Sequence, residues 1–381
     1  MKRRLIYIIL TAAIAVSCRG TGLEKAGWKK QNYKALNALI KDHGTRSDGY
    51  DPKVRPYAVF DFDNTTVTGD ISMSLAAYQI ENLRFGLDPE SVYDIFIGGI
   101  PNIDSALDGF PSVSVRSLAI DIHNDYSWLY RNYIRYARAG QEAPVSLGEI
   151  HESQEYLDLR AKIWSLTTGI VNTFGYDVGS LWIIKLFSGM PVSELQDLAR
   201  EAAASEMKLR KPKTETWTSP DMGEAGQVSV DVPRGLGIRK ELVNLYSTLT
   251  RNGFDVYVCS SSAEMVVEAV ACDGTMGLDL DPTQVFGIRI NGGDFVSSSP
   301  SYVQGYPRTH HEGKSELIRS ILMPDHGGRG PVLVAGDSNG DCNMLVDFDD
   351  MELGLIIDQP RSGEIQDLKS DRSGRYAVQK W

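Results

Sequence analysis

The 381-residue chain is 42% hydrophobic and 23% charged, the composition of a globular protein that can bury a sizeable core. Its formal net charge is −11, and this acidic balance argues against a nucleic-acid partner, because phosphate backbones are bound by basic surfaces. The length favours roughly two or three domains.

The first residues follow the order of regions found in a bacterial export signal. Basic residues fill positions 2–4, an apolar run covers 5–16, and Ser17-Cys18 follows. The run is too short to span a membrane, so residues 1–17 are interpreted as a secretory signal peptide. The end of the run resembles a lipobox, in which Cys18 is acylated. We therefore predict an exported lipoprotein of the cell envelope, periplasmic or on the outer face, which contacts the membrane only through its lipid anchor. Ordinary cleavage beside an incidental cysteine is the alternative.

Beyond the signal, apolar periodicity divides the chain into a helical part and an alternating part. Residues 18–56 predict a tether and one amphipathic helix, and an apolar strand begins at Tyr57. Residues 71–235 have apolar positions at helical spacing, except that the Gly-, Pro- and Ser-rich stretch 217–235 is interpreted as a linker. From residue 236 onward, β-branched runs alternate with helical patterns, which predicts an α/β fold with a parallel sheet.

Two smaller features belong to the alternating part. Residues 284–290 and 295–299 predict an extended pair. Cys259 lies within an apolar run, which favours a buried thiol, and a disulfide among Cys259, Cys272 and Cys342 stays open.

The stretch YAVFDFDNTTVTGD places two carboxylates, Asp61 and Asp63, at the end of an apolar strand. Residues i and i+2 of an extended segment share a face, so both carboxylates could address one point. One carboxylate could attack phosphorus as a nucleophile, and the other could move a proton. A turn rich in Asp and Asn is the alternative.

Two further motifs supply groups that can bind phosphate. The strand VYVC runs into Ser260, Ser261 and Ser262, where hydroxyls and a helix N-terminus could bind phosphate oxygens, although a plain helix cap is the alternative. Lys314, in HEGKSELI, could neutralise a phosphoryl group, although it could also be a solvated surface lysine.

The stretch PVLVAGDSNGD ends an apolar strand at Gly336 and places Asp337 and Asp341 four residues apart. Carboxylates at a strand end suit Mg²⁺, which takes one or two carboxylates together with water and substrate phosphate. A Gly/Asp/Asn turn is the alternative.

The order of these motifs resembles that of the haloacid dehalogenase superfamily, over residues 57–69 and about 236–358. The resemblance implies a Rossmann-like core formed by 57–70 and 236–381, and a mostly helical cap formed by 71–235. It also implies roles for seven residues. Asp61 would be the nucleophile and Asp63 the general acid/base, and Ser260 and Lys314 would also take part in catalysis. Phosphate would be bound by Ser260, Ser261 and Lys314. Mg²⁺ would be bound by Asp61, Asp63 (through its carbonyl), Asp337 and Asp341.

The implied activity is Mg²⁺-dependent hydrolysis of a phosphomonoester through an aspartyl-phosphate. Because a large cap excludes bulky substrates, a small soluble phosphorylated metabolite is expected. The pattern is also similar to exported bacterial phosphorylcholine phosphatases, which makes phosphorylcholine a possible substrate. A phosphotransferase of the same superfamily, or a surface lipoprotein that only binds a phosphorylated ligand, are the alternatives.

A choline group would call for an aromatic cage. The cap offers six aromatic residues, each of which could instead belong to the helix core: Tyr78, Tyr126, Trp128, Trp164, Trp182 and Trp217. His310 and His311 precede Lys314 and are interpreted as part of a polar loop rather than as metal ligands.

Overall fold

The computed structural model describes residues 22–209, 212–220 and 223–381, so the predicted signal peptide and Cys18 lie outside the described residues. Helices and strands alternate at both ends of the described chain, and helices dominate between them. The strands are β1 (Tyr57–Phe60), β2 (Val67–Thr68), β3 (Ala106–Leu107), β4 (Phe110–Ser114), β5 (Lys213–Thr218), β6 (Ser229–Arg234), β7 (Gly237–Ile238), β8 (Asp255–Ala263), β9 (Val285–Ile288), β10 (Leu333–Gly336), β11 (Leu353–Ile357) and β12 (Tyr376–Gln379).

The α-helices vary from one turn to six. They are α1 (Lys30–His43), α2 (Ile71–Asn82), α3 (Pro89–Ile97), α4 (Val115–Leu129), α5 (Arg135–Arg138), α6 (Leu147–Ile150), α7 (Gln154–Phe174), α8 (Tyr176–Ile184), α9 (Val192–Glu206), α10 (Lys240–Arg251), α11 (Glu264–Ala271), α12 (Glu312–Leu317), α13 (Met323–Asp325), α14 (Cys342–Val346) and α15 (Glu364–Ser370). In the described part of the chain, none of these helices combines the length and apolarity that crossing a bilayer requires.

Six strands form the core sheet, in the order β12-β11-β10-β1-β8-β9, and every neighbouring pair is parallel. This confirms the predicted parallel α/β fold. The chain enters the sheet at β1, extends it on one side through β8 and β9, and then extends it on the other through β10, β11 and β12. The order of strands therefore reverses between β1 and β10, and ligands of such sheets bind in the crevice beyond the carboxyl ends of the strands at this point.

The core strands are apolar throughout because helices cover both faces of the sheet. Along β1, Ala58 and Phe60 join the hydrophobic cluster on one face, while Tyr57 and Val59 join the cluster on the other. The first cluster includes residues of α1 and α10, and the second includes residues of α12 and α14. No residue of β1 is more than 1% exposed, so the segment that follows it starts from a fixed backbone position.

The cap leaves the core after β2 and returns at β7, and these two strands pair antiparallel. It contains α2 to α9, as the helical prediction required, together with the hairpins β3–β4 and β5–β6. The linker predicted at 217–235 was wrong at both ends, because Trp217 and Thr218 end β5 and Ser229–Arg234 form β6. Residues of β6 pair with β5, and buried Trp217 and Val232 give the hairpin an apolar side that the local Gly and Pro content concealed.

One other sequence prediction needs correction. Residues 284–290 do not pair with 295–299: β9 joins the core sheet beside β8, and Phe295 bridges to Pro191 of the cap. The opposite edge of the sheet is formed by β12, which pairs parallel to β11. The disulfide left open does not form, since Cys259, Cys272 and Cys342 are free thiols.

Candidate active site

The predicted site residues meet at the carboxyl edge of three adjacent strands. Asp61 directly follows β1, Asp337 directly follows β10, and Ser260 lies in the last part of β8. Since β1 pairs with both β8 and β10, the sheet brings these positions side by side. The amide of Asp61 continues this pairing by donating to the Ala335 carbonyl at 2.9 Å.

Lys314 reaches this edge from α12 and joins two of the carboxylates. Its Nζ lies 2.6 Å from Oδ1 of Asp61 and 2.6 Å from Oδ1 of Asp341. The Lys314 side chain is 1% exposed, so this is a buried ion network rather than the solvated lysine considered as its alternative. The backbone of α12 lies close to the preceding loop, because a Cβ at Gly313 would be 1.6 Å from the Arg308 carbonyl oxygen.

The Asp61 carboxyl is buried and surrounded by charge of both signs. Burial, followed by the negative charge of Asp341, raises its pKa to about 6, although Lys314 and a hydrogen bond from Thr65 act in the opposite direction. The carbonyl of Asp61 accepts a hydrogen bond from Thr66 Oγ1 at 2.6 Å. This hydrogen bond therefore holds the backbone that carries the Asp61 side chain in place.

Asp337 and Asp341 lie beside Asp61, and one carboxylate oxygen from each of the three is within 4.8 Å of the others. Asp341 Oδ2 accepts from the amides of Asp337 and Ser338, both at 3.0 Å, which fixes the turn after β10. Gly336 makes this turn possible, because a Cβ there would lie 2.5 Å from the Cβ of Asp341.

The three carboxylates fit a hard divalent cation. Burial and the charges of Asp61 and Asp341 raise the pKa of Asp337 to about 8, so a proton on Asp337 relieves part of the charge when no metal is bound. Thr65 Oγ1 donates to Asp337 at 3.2 Å. Clustered buried carboxylate oxygens are the donor set that Mg²⁺ takes, and among the described residues Lys314 is the buried cation that contacts them.

Asp63 faces away from this cluster, toward the cap. Its carboxylate accepts hydrogen bonds from Ser262 Oγ and from the Ile71 amide, both at 2.7 Å. Burial, with the neighbouring charge of Asp70, raises its pKa well above the ordinary value. The chain turns sharply after it, since Asn64 has a φ of 58°. Its surroundings therefore favour the protonated form of Asp63 more than water does.

The alternative interpretation of the serine motif was wrong, because the three serines do not cap a helix. They lie within β8, and α11 begins only at Glu264 without a side-chain cap. Ser260 is fully buried and its Oγ accepts from the Ser262 amide at 3.1 Å. Ser261 Oγ donates to the Thr309 carbonyl at 2.9 Å. Their part in binding phosphate stays a prediction.

The cap contacts the core beside these serines. Tyr176, at the start of α8, stacks on His310 with ring centroids 3.8 Å apart, and its hydroxyl donates to the Ser261 carbonyl. Asp177 forms an ion pair with Arg308 at 2.8 Å. Burial lowers the pKa of His310 to about 4, so this imidazole is neutral where it packs against Tyr176. It belongs to the packed interface between the cap and the core.

A cavity of about 300 Å³ lies between the cap and the serines. Asp70, Tyr176, Ser261 and Ser262 contribute to its wall, together with apolar residues of α7 and α8. None of the six aromatic residues considered for a cage lines it; four of them, Tyr126, Trp164, Trp182 and Trp217, are buried in the cap core. Tyr176 is the aromatic residue of this wall.

Sequence reasoning missed three residues that contact the site, Thr65, Tyr176 and Arg361. It named Ser262 as a phosphate ligand or helix cap but did not foresee its hydrogen bond to Asp63. Thr65 stands inside a motif that was recognised, so its hydroxyl could have been considered there. Arg361 contacts Asp337 from a loop after β11, and Tyr176 comes from the cap. Neither has a local signal, because only the fold brings them to the site.

No protein-family model matches the chain. It is 23% identical over 355 residues to a phosphorylcholine phosphatase of Pseudomonas aeruginosa, and the match covers 87% of this chain and 80% of that protein. It is 30% identical to a conserved protein of unknown function from Anaerococcus prevotii, whose crystal structure superposes with a TM-score of 0.84 and a coverage of 94% of both chains.

The sequence similarity to a phosphatase agrees with the arrangement of the motifs. The paired aspartates after β1, the serines of β8, the lysine of α12 and the aspartates after β10 meet at one edge of a parallel sheet, below an inserted cap. The chain is similar in sequence to a phosphatase, and its fold, motif order and site geometry resemble those of the haloacid dehalogenase superfamily.

Proposed function

We propose that the protein hydrolyses phosphomonoesters with Asp61 as nucleophile. The observation that carries this proposal is the buried Lys314, which binds both Asp61 and Asp341 at 2.6 Å within reach of Asp337. A carboxylate that attacks phosphorus must approach a group of the same charge, and the lysine lowers the cost of that approach.

Attack by an Asp61 oxygen on phosphorus would form an aspartyl-phosphate as the bond to the alcohol oxygen breaks. Asp63 would donate its proton to that oxygen and then accept one from the water that cleaves the acyl phosphate. The raised pKa of Asp63 supports the first role, because it favours the protonated form that can donate to a leaving group. Its hydrogen bond from Ser262 fixes one of its oxygens.

Mg²⁺ would be held by Asp61, Asp337 and the carbonyl of Asp63, and it would neutralise charge on the phosphoryl group. Asp341 would support this set, because its Oδ2 is already bound to the amides of Asp337 and Ser338. Ser260, Ser261 and Lys314 would bind the remaining phosphoryl oxygens.

Phosphate release from an aryl phosphate tests the chemistry. We expect release by the wild type to depend on Mg²⁺, and Asp61→Asn to lose it while keeping the fold, measured by circular dichroism. Asp349→Asn is the matched control, since Asp349 is exposed on the same core. Substantial turnover by Asp61→Asn would refute the role of the nucleophile.

For the substrate we propose a small ester with a neutral or cationic leaving group, with phosphorylcholine as the first compound to test. The P. aeruginosa relative carries that substrate in its name. The described residues that line the cavity include Asp70 but neither Lys nor Arg, which disfavours an anionic leaving group.

Phosphorylcholine and 3,3-dimethylbutyl phosphate differ only in the cationic nitrogen, so their kcat/KM ratio measures recognition of charge. O-phosphoserine provides the anionic comparison. A preference for O-phosphoserine would contradict this reading of the cavity. Transfer to added alcohols, followed by product analysis, separates a hydrolase from a phosphotransferase. Binding of phosphate without any turnover would favour the ligand-binding alternative.

We further propose that the protein is exported and anchored through Cys18, on the sequence pattern of residues 1–18. Cys18→Ala should then release a soluble form or accumulate the precursor, measured by membrane fractionation. Unchanged fractionation of this variant would count against acylation.

A further inference from the structure

A short loop after β11 carries Arg361 to the edge of the active site. Two side-chain hydrogen bonds hold this loop against the site motifs, and a third holds it to α15. Gln359 donates to the Asn64 carbonyl at 3.3 Å, Asn339 donates to the Ser362 carbonyl at 2.9 Å, and Lys369 donates to the Gln359 carbonyl at 2.6 Å. The backbone that presents Arg361 is therefore fixed to both aspartate motifs.

The side chain of Arg361, in contrast, is only loosely engaged. Its Nη2 and Nε lie 3.3 and 3.4 Å from the same oxygen of Asp337, and the side chain is 46% exposed. In a strong bidentate arginine–carboxylate pair, two guanidinium nitrogens each lie about 2.7–2.9 Å from a different carboxylate oxygen. The guanidinium is thus close to the site and free to change its partner.

Lys314 alone does not neutralise the negative charge of the site, so a second cation with unused hydrogen-bond donors would stabilise a bound phosphoryl group. Lys314 is already bound to two carboxylates, while Asp337 adds a buried acidic group and Asp63 and Asp70 add two half-buried ones. A phosphoryl dianion adds more negative charge. The positive charge of Arg361 lowers the pKa of Asp337 and also that of Asp70, although burial raises both overall. Arg361 therefore acts on the core side and on the cap side of the site.

We propose that Arg361 is a substrate-binding residue, which leaves Asp337 and donates to the phosphoryl oxygens when substrate and metal are present. This inference rests on the proposed phosphatase function. Arginine suits the task because its planar donors match phosphate oxygens in pairs. Asp337 would lose its contact with Arg361 at the same time, so Arg361 would exchange the Asp337 carboxylate for the phosphoryl group.

The proposed exchange predicts that Arg361→Gln affects the affinity for Mg²⁺ and the affinity for phosphate differently. Arg361→Gln should bind Mg²⁺ at least as tightly as the wild type, because a competing cation is removed from Asp337. It should bind inorganic phosphate about 10- to 100-fold more weakly in the presence of Mg²⁺, the usual range for a lost hydrogen bond to a charged group. Isothermal titration calorimetry measures both without turnover.

Steady-state kinetics and matched variants complete the test. Arg361→Gln should raise KM for an aryl phosphate more than it lowers kcat, and Arg361→Lys should recover part of the phosphate affinity. Arg319→Gln is the control, since Arg319 is similarly exposed and pairs with Asp347 away from the site. Equal phosphate affinity of Arg361→Gln and the wild type would overturn the proposal, as would a parallel loss of Mg²⁺ binding. A wild type that neither binds nor releases phosphate would refute the proposed function itself.

Discussion

Replacing Lys314 by Met removes a charge at nearly constant side-chain volume and tests whether the buried network is built as described. Its Nζ lies 2.6 Å from Asp61 and 2.6 Å from Asp341, and the lysine side chain is 1% exposed. Lys314→Met leaves both carboxylates buried without this cation. Breaking a buried ion pair from one side costs about 3–5 kcal/mol of folding free energy. We therefore expect Lys314→Met to lower the free energy of unfolding by about that amount at neutral pH, and to abolish turnover.

Urea unfolding followed by tryptophan fluorescence measures the loss of unfolding free energy. A double-mutant cycle shows how much of that loss comes from the pair with Asp341. Burial favours protonation of Asp341, but Lys314 and the backbone donors hold its pKa below the ordinary value. Asp341→Asn keeps an oxygen for those donors and removes the negative charge. In the Lys314→Met background it should restore about 0.5–3 kcal/mol relative to additivity.

Lys25→Met is the control, since Lys25 is exposed. A loss below about 1 kcal/mol for Lys314→Met would refute the reasoning, because surface pairs cost no more than that. Strict additivity of the double variant would refute the pairing with Asp341.

Three further predictions follow from individual contacts. Mg²⁺ at 100 times its Kd should stabilise the wild type by about 2.7 kcal/mol, and Asp337→Ala should lose this effect in thermal unfolding. Burial and the facing Asp158 raise the pKa of Asp125 to about 9, so its contribution to stability is present at acid pH and is lost as pH rises toward 9. Asp125→Asn should therefore gain stability relative to the wild type as pH increases from about 4 to 9, measured by urea titrations across that range. Gly336→Ala should cost about 1–3 kcal/mol and reduce turnover, because its Cβ would meet that of Asp341 at 2.5 Å; normal stability would contradict this turn geometry.

The core and its motifs could be read from the sequence because their signals are local. An apolar run that ends in Asp61 identifies a covered parallel strand and its carboxyl end at once, and PVLVAG before Asp337 does the same. Parallel strands place their ends at one edge, so the meeting of Asp61 and Asp337 follows from the fold class. The contact of Lys314 with both Asp61 and Asp341 needs the structure, since α12 could have presented that lysine to solvent.

The β5–β6 hairpin of the cap was not predicted because its packing is not local. Its two strands enclose a turn that contains Gly, Pro and Ser, and its buried residues Trp217 and Val232 share a hydrophobic cluster with residues of distant helices. Arg234 shows this directly, since it is buried between Glu81 and Glu206 of two cap helices at 2.6 and 2.5 Å. A buried arginine with such partners holds the hairpin end in place, and nothing near it in sequence indicates them.

The contacts of the cap with the core link its position to that of Lys314. Tyr176 and Asp177 bind His310 and Arg308, which lie only four and six residues before the lysine. The close approach at Gly313 joins this loop to the first turn of α12, so the loop cannot shift without moving that turn. A cap that opened would release the aromatic stack and the ion pair together, and both releases act on the segment that carries Lys314. These contacts predict that cap position and the electrostatics at Asp61 are coupled, so substitutions at Tyr176 should affect catalysis although its side chain lies outside the carboxylate cluster.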